Sequence, residues 1–144
     1  MHYTGVPLQS HVTIAKAGVD ALSTSVALEY GPRGIRSNIL APGPIGETEG
    51  MQRLSRPEDV ERGKKAVPLQ RWGTVKEIAD ATVYLFADTG DFVNGAVLVV
   101  DGGSWRTGGL SGPGGGMAYP GFLLSGKEVE GVKGGKIKGV KPKL

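Results

Sequence analysis

The run from Val12 to Thr48, VTIAKAGVDALSTSVALEYGPRGIRSNILAPGPIGET, leaves this 144-residue chain few architectures to choose from. Apolar residues at Val12, Ala15, Val19, Leu22 and Val26 recur every three or four positions, which keeps one stripe on one face of a helix. Such a helix is expected to lie against a sheet. Gly31 and Pro32 follow it and predict a stop with a left-handed cap at Gly31. Ile35 to Ala41 is short and apolar, β-branched at Ile35 and Ile39, and reads as a buried strand. It meets Pro42 and Gly43 at its carboxyl end, where open α/β sheets bind their ligands.

One other segment reads as a strand, Ala96 to Val100, closed by a turn at Asp101-Gly102-Gly103. Both are expected to be parallel strands buried on both faces, so the fold class is α/β. Two strands alone do not make a stable sheet. The sequence therefore predicts that a larger sheet preceded Met1, and that the chain is a truncated form or an incomplete gene model. No G-x-G-x-x-G opens a helix after a strand.

Between the strands, Glu49 to Pro68 is rich in charge, and Ser55, Pro57 and Glu58 form a helix-start pattern. Thr74 and Glu77 form a second one, T-x-x-E. It opens a helix whose sheet face is expected to carry Ile78, Thr82 and Leu85, with Val75 and Ala79 beside them. Tyr84 and Phe86 read as core or subunit-contact residues.

Composition removes several function classes. There is no cysteine, hence no disulfide, thiolate nucleophile or cysteine-ligated metal, and His2 and His11 are too few and too dispersed for a histidine metal cluster. No metal site is expected. No apolar run approaches the roughly 18 residues of a membrane span. The net charge is +3, but six lysines against Glu128 and Glu130 leave the stretch from Lys127 to Leu144 at +4, so the rest of the chain is net −1. The body offers no basic stripe for a nucleic acid. From Thr107 the glycine-rich GGLSGPGGGMAYPG and the lysine-rich end read as a flexible tail.

The runs AKAGVDAL (15–22), GPRGIRSNILAPGPI (31–45) and Asp101-Gly-Gly103 resemble the second half of the short-chain dehydrogenase/reductase family. The resemblance covers roughly residues 3 to 106 and implies residues 1–106 as the C-terminal part of a Rossmann-type doubly wound parallel sheet, followed by the tail, 107–144. In that family a lysine at the place of Lys16 binds the nicotinamide ribose and lowers the pKa of a catalytic tyrosine four residues earlier. Here that earlier residue is Val12, which has no proton to give. Judged by its position alone, Lys16 reads as a snorkelling lysine at the rim of an amphipathic helix.

The absent tyrosine, PGPIGETEG at Pro42 to Gly50 and PLQRWG at Pro68 to Gly73 are similar to the peroxisomal 2,4-dienoyl-CoA reductases within the family. That resemblance implies reduction of a 2,4-dienoyl thioester to a 3-enoyl thioester with NADPH, with an acyl-CoA as partner and a homo-oligomer as assembly. Lys16, Pro42, Gly43, Pro44, Ile45, Gly46 and Thr48 would hold the cofactor, Arg53 would lie near the acyl-CoA, and the segment after Thr48 would be a lid. Lys16 is the first catalytic candidate. Tyr3 and Asp20 compete for proton chemistry, against readings as a packing aromatic and a helix-surface charge. Pro142-Lys143-Leu144 departs from the S-K-L peroxisomal address at its first position only, which points to an import receptor and a peroxisomal location, with a cytoplasmic one the alternative. Two other readings stay open: a reductase acting on a 3-oxoacyl thioester, and a noncatalytic partial chain.

Overall fold

The computed structural model describes residues 9–54, 57–107 and 121–125. Tyr3, Ser55 and Pro142 to Leu144 lie outside the described residues, as do the lysines of the tail. Both predicted strands form, each shorter than its apolar run: β1 is Ile39–Pro42 and β2 is Val97–Val100. They pair in parallel, Ile39 opposite Val97 through Pro42 opposite Val100. The connection between them runs through α2 (Glu49–Leu54), α3 (Val60–Ala66) and α4 (Val75–Phe86). This is a βαβ crossover, the unit that brings two parallel carboxyl ends to one edge.

The residues before β1 bond outside the ladder, which is why the strand starts late. Ser37 N–H donates to Asn94 Oδ1 at 2.9 Å, and Asn38 both donates to Val93 O at 2.7 Å and accepts from Ala96 N–H at 3.0 Å. Arg36 Nη1 donates to the carbonyls of Leu85, Gly90 and Val93 at 2.9, 3.0 and 3.2 Å. One guanidinium thus ties the end of α4 and the loop after it to the start of β1, satisfying carbonyls that a helix end leaves over.

The first helix, α1, spans Ser10–Tyr30. Its apolar stripe is not packed as expected: Val19 and Leu22 are 55% and 64% exposed, and only Ala27 is buried. The helix is about 31 Å long and each four-residue strand about 13 Å, so most of α1 overhangs the two-stranded sheet. It is anchored near its end, where Asn94 Nδ2 donates to Ala27 O at 3.0 Å and the Ser23 and Ser37 hydroxyls bond at 2.8 Å.

The stop of α1 falls three residues later than predicted. Gly31 keeps right-handed φ and ψ, and Gly31–Arg33 tightens into a 3-10 turn that admits Pro32. Gly34, at φ 78°, is the left-handed residue; its N–H donates to Gly31 O and the Ile35 N–H donates to Tyr30 O. Those two bonds are the Schellman pattern, with Gly34 rather than Gly31 in the glycine position.

The Thr74–Glu77 capping box opens α4 as expected. Ile78, Thr82 and Leu85 are half-buried on its sheet side, whereas Val75 and Ala79 are exposed. Tyr84 and Phe86 are not core residues, and Phe86 is 82% exposed. Neither strand is buried on both faces: Val97 and Val99 of β2 are exposed while Leu98 and Val100 are partly covered, because α4 covers one side only. Among the described residues the best-buried apolar side chain is Val67, after α3, which packs under the turn Asp101–Gly103. Within the stretch read as a flexible tail, Gly121–Leu124 forms a short helical turn, α5. No helix among the described residues is long and apolar enough to cross a membrane.

Candidate active site

The loop from Pro42 to Thr48 leaves the carboxyl end of β1 and is fixed on two sides. On one side Gly43 N–H donates to Val100 O at 2.9 Å, drawing the loop against the end of β2. A Cβ on Gly43 would lie 2.6 Å from Asp101 Cα, a separation that only glycine tolerates. Asp101 is itself committed: its carboxylate accepts from Gly103 N–H at 2.8 Å and Trp105 N–H at 2.7 Å, which shapes the turn after β2.

On the other side the loop pairs with Gly73. Gly73 N–H donates to Pro44 O and Gly46 N–H donates to Gly73 O, both at 2.9 Å, forming a parallel bridge between Ile45 and Gly73. Trp72 then lies between the loop and α3. A Cβ on Gly46 would meet its ring at 3.7 Å, and one on Gly63 of α3 would meet the opposite part of the ring at 3.3 Å. Lys64 Nζ lies 5.9 Å from the indole centroid.

Thr48 ends the loop by capping α2. Its hydroxyl donates to Ile45 O at 3.0 Å and accepts from Met51 N–H at 3.3 Å. Glu47, immediately before it, takes φ 59°, which turns the chain into the helix. Arg53 is exposed on α2 and paired with Glu49 one turn earlier.

Pro44 and Ile45 line a cleft of about 430 Å³, its open mouth included, together with Leu69, Arg71, Glu77 and Val100. Arg71 and Glu77 form its polar wall. Glu77 Oε1 accepts from Arg71 Nη2 at 2.5 Å, and Oε2 accepts from Arg71 Nη1 at 3.0 Å and Thr74 N–H at 2.8 Å. The Arg71 guanidinium first, and the Thr74 N–H after it, hold the Glu77 carboxyl down to a pKa of about 2. The same pairing raises Arg71 above its ordinary value.

The structure thus brings Pro42 to Thr48 together at the edge where both strands end. Lys16 is exposed on α1 and is not among the residues lining the cleft. It stands one helical turn after Val12, so no phenol of α1 accompanies its ammonium at that step. Asp20, a further turn along, is half-buried, and its backbone carbonyl accepts from Thr24 Oγ1 at 3.0 Å. Arg71 was not anticipated as part of the site. Its partner is six residues away across a turn, a spacing that no helix-face rule flags, and the available signal was its place in the PLQRWG motif.

A parallel βαβ unit whose first strand feeds a glycine/proline loop at the carboxyl edge, preceded by a lysine-bearing helix, is the architecture of nucleotide-binding α/β proteins. A family profile described as Enoyl-(Acyl carrier protein) reductase matches residues 2–104. The chain belongs to the short-chain dehydrogenase/reductase family. It is 52% identical over 107 residues to the peroxisomal 2,4-dienoyl-CoA reductase of Saccharomyces cerevisiae, covering 74% of this chain and 37% of that one. The corresponding reductase of Pongo abelii is 49% identical over 104 residues, with 72% and 36% covered. Among solved structures, a putative 2-deoxy-D-gluconate 3-dehydrogenase of Agrobacterium tumefaciens with bound NADP matches with a TM-score of 0.60 at 38% identity, covering 65% of this chain and 38% of that one. The chain spans a little over a third of the length of the curated relatives it matches.

Proposed function

We propose that residues 1–106 form the C-terminal part of an NADPH-dependent 2,4-dienoyl-CoA reductase, with residues 107–144 appended as a tail. The observation that carries this reading is Val12. In a chain that belongs to a reductase family, the position one turn before Lys16 holds an aliphatic side chain, and relatives about half identical to it are named as dienoyl-CoA reductases.

The residues present fit a nicotinamide nucleotide. Gly43 and Gly46 let the loop pack closely against Asp101 and Trp72, the loop stands at the carboxyl edge, and an exposed ammonium is carried on the helix that leads into β1. The bound cofactor supplies hydride. Lys16 would hold the ribose hydroxyls and add positive potential, while the Pro42 to Gly46 loop would lie along the nucleotide. Thr48 contributes its hydroxyl by exchanging its bond to Ile45 O for one to the diphosphate. Arg53 exchanges Glu49 for the anionic groups of the acyl-CoA.

The chemistry explains why a valine suffices. Hydride delivered to the distal carbon of a conjugated diene moves negative charge through the double bonds to the thioester oxygen, so no alkoxide forms where hydride lands. The site has to stabilise that oxygen and return a proton near the carbonyl, through water or through Tyr3 or Asp20. The assembly is a homo-oligomer. The peroxisomal names of the relatives support import into peroxisomes.

The test is a chimera in which residues 2–104 replace the matching segment of the yeast relative. It should consume NADPH with a 2,4-dienoyl-CoA and not with a 3-oxoacyl-CoA. Turnover of the 3-oxoacyl thioester instead would establish the carbonyl-reducing alternative, and a folded chimera that binds NADPH but reduces neither would support a noncatalytic chain.

A further inference from the structure

Glu77 accepts more bonds than a helix cap requires. Thr74 and Glu77 already complete a capping box, so the start of α4 is satisfied without Arg71. Arg71 nevertheless closes a two-pronged pair on the same carboxylate and donates a further bond to Trp72 O at 3.1 Å. An exposed ion pair of this kind adds little to stability. Its two-pronged geometry does fix direction.

What it orients is the stretch Arg71-Trp72-Gly73-Thr74, wrapped around one carboxylate. Gly73 lies inside that wrap and turns both of its backbone groups toward the loop, giving N–H to Pro44 O and taking N–H from Gly46. Space is tight at this point: a Cβ on Gly73 would sit 2.8 Å from Ile45 Cδ1 and 3.7 Å from Glu77 Oε2. A tilt of the wrap therefore shifts Ile45 and both bonds together.

We propose that Arg71 and Glu77 are positioning residues: their two-pronged pair sets the orientation of Gly73 and, through its two hydrogen bonds, the path of Pro44 to Gly46. Resting on the functional reading above, this pair tunes how the cofactor loop receives the nucleotide without touching it. Its role is one of geometry, distinct from holding α4 together.

Backbone amide exchange followed by NMR on the full chain tests this without any cofactor. In Arg71→Ala, the Gly46 and Gly73 amides should exchange about tenfold faster, while the Val83 and Leu85 amides of α4 and the Leu98 amide of β2 keep their rates. Arg71→Lys retains the charge but not the fork, and should behave like Arg71→Ala. Unchanged rates at Gly46 and Gly73 would overturn the proposal, as would a uniform rise at all five amides, which would reduce the pair to general stability. Arg71→Ala in the chimera adds the functional readout: KM for NADPH rises at least about fivefold with the thermal midpoint held within a few degrees. An inactive chimera whose loop amides still loosen would remove the reductase reading and leave the positioning role standing.

Discussion

Gly43 and Asp101 pack against each other where the two strands end, with the space for a Gly43 side chain filled at 2.6 Å by the Asp101 Cα and Cβ. The hydrogen bond from Gly43 N–H to Val100 O holds this contact shut. Asp101 cannot yield, because its carboxylate shapes the turn behind it through Gly103 and Trp105.

Gly43→Ala should therefore part the strand ends and cost about 2 kcal/mol in urea unfolding, the scale of an overpacked contact with backbone. The amide of residue 43 should lose its protection in the same variant. Retained protection at residue 43 and an unchanged midpoint would show that the loop has slack there.

Arg36→Met keeps the aliphatic stem and removes three donated bonds, leaving the carbonyls of Leu85, Gly90 and Val93 without their shared donor. A loss of about 2 kcal/mol is expected. A loss below about 0.5 kcal/mol would place Arg36 among ordinary surface arginines.

The Glu77 pair has a defined pH window. Its carboxyl is held at about 2 in the folded chain, against 4.5 unperturbed. A lowered folded value means that the unfolded state binds the proton more readily, so the contribution to stability is fully present above 4.5 and fades as pH falls toward 2. A carboxyl titration of Glu77 by NMR should show its midpoint near 2 in the native chain and move upward in Arg71→Ala. A midpoint near 4.5 in the native chain would show the pair to be open in solution.

Sequence reasoning reached the parts of this fold that depend on local chemistry. Thr74 and Glu77 are a cap because their spacing makes them one, and Ile78, Thr82 and Leu85 face the sheet because helical periodicity puts them there. It failed where a choice depended on neighbours distant in the chain. Gly31 and Gly34 are both admissible stops, and the bond from Ile35 N–H to Tyr30 O selects the second. Ile35 opens the run read as a strand, yet Arg36, Ser37 and Asn38 are engaged by the loop around Val93 and Asn94. The stripe of α1 marks a face but says nothing of what covers it, and Leu22 stands exposed. At the site, the glycine/proline loop was readable from its place after a strand, whereas Arg71 was not, because a pair across a turn leaves no periodic trace.

Lys16 separates the functional account from a rim lysine with no role. In the chimera, Lys16→Met should raise KM for NADPH by about tenfold or more, the worth of a charged hydrogen bond, with KM for the dienoyl thioester little altered. Equal KM values for NADPH in the two proteins would assign Lys16 to the helix surface.

The most direct measurement follows the hydride. The chimera is given NADPH carrying deuterium at the transferable position and equal amounts of a 2,4-dienoyl-CoA and a 3-oxoacyl-CoA, and the products are separated by mass spectrometry. Deuterium should be found in the 3-enoyl product, on the carbon that was the distal end of the diene. Label on the hydroxyl-bearing carbon of a 3-hydroxyacyl product would contradict the account.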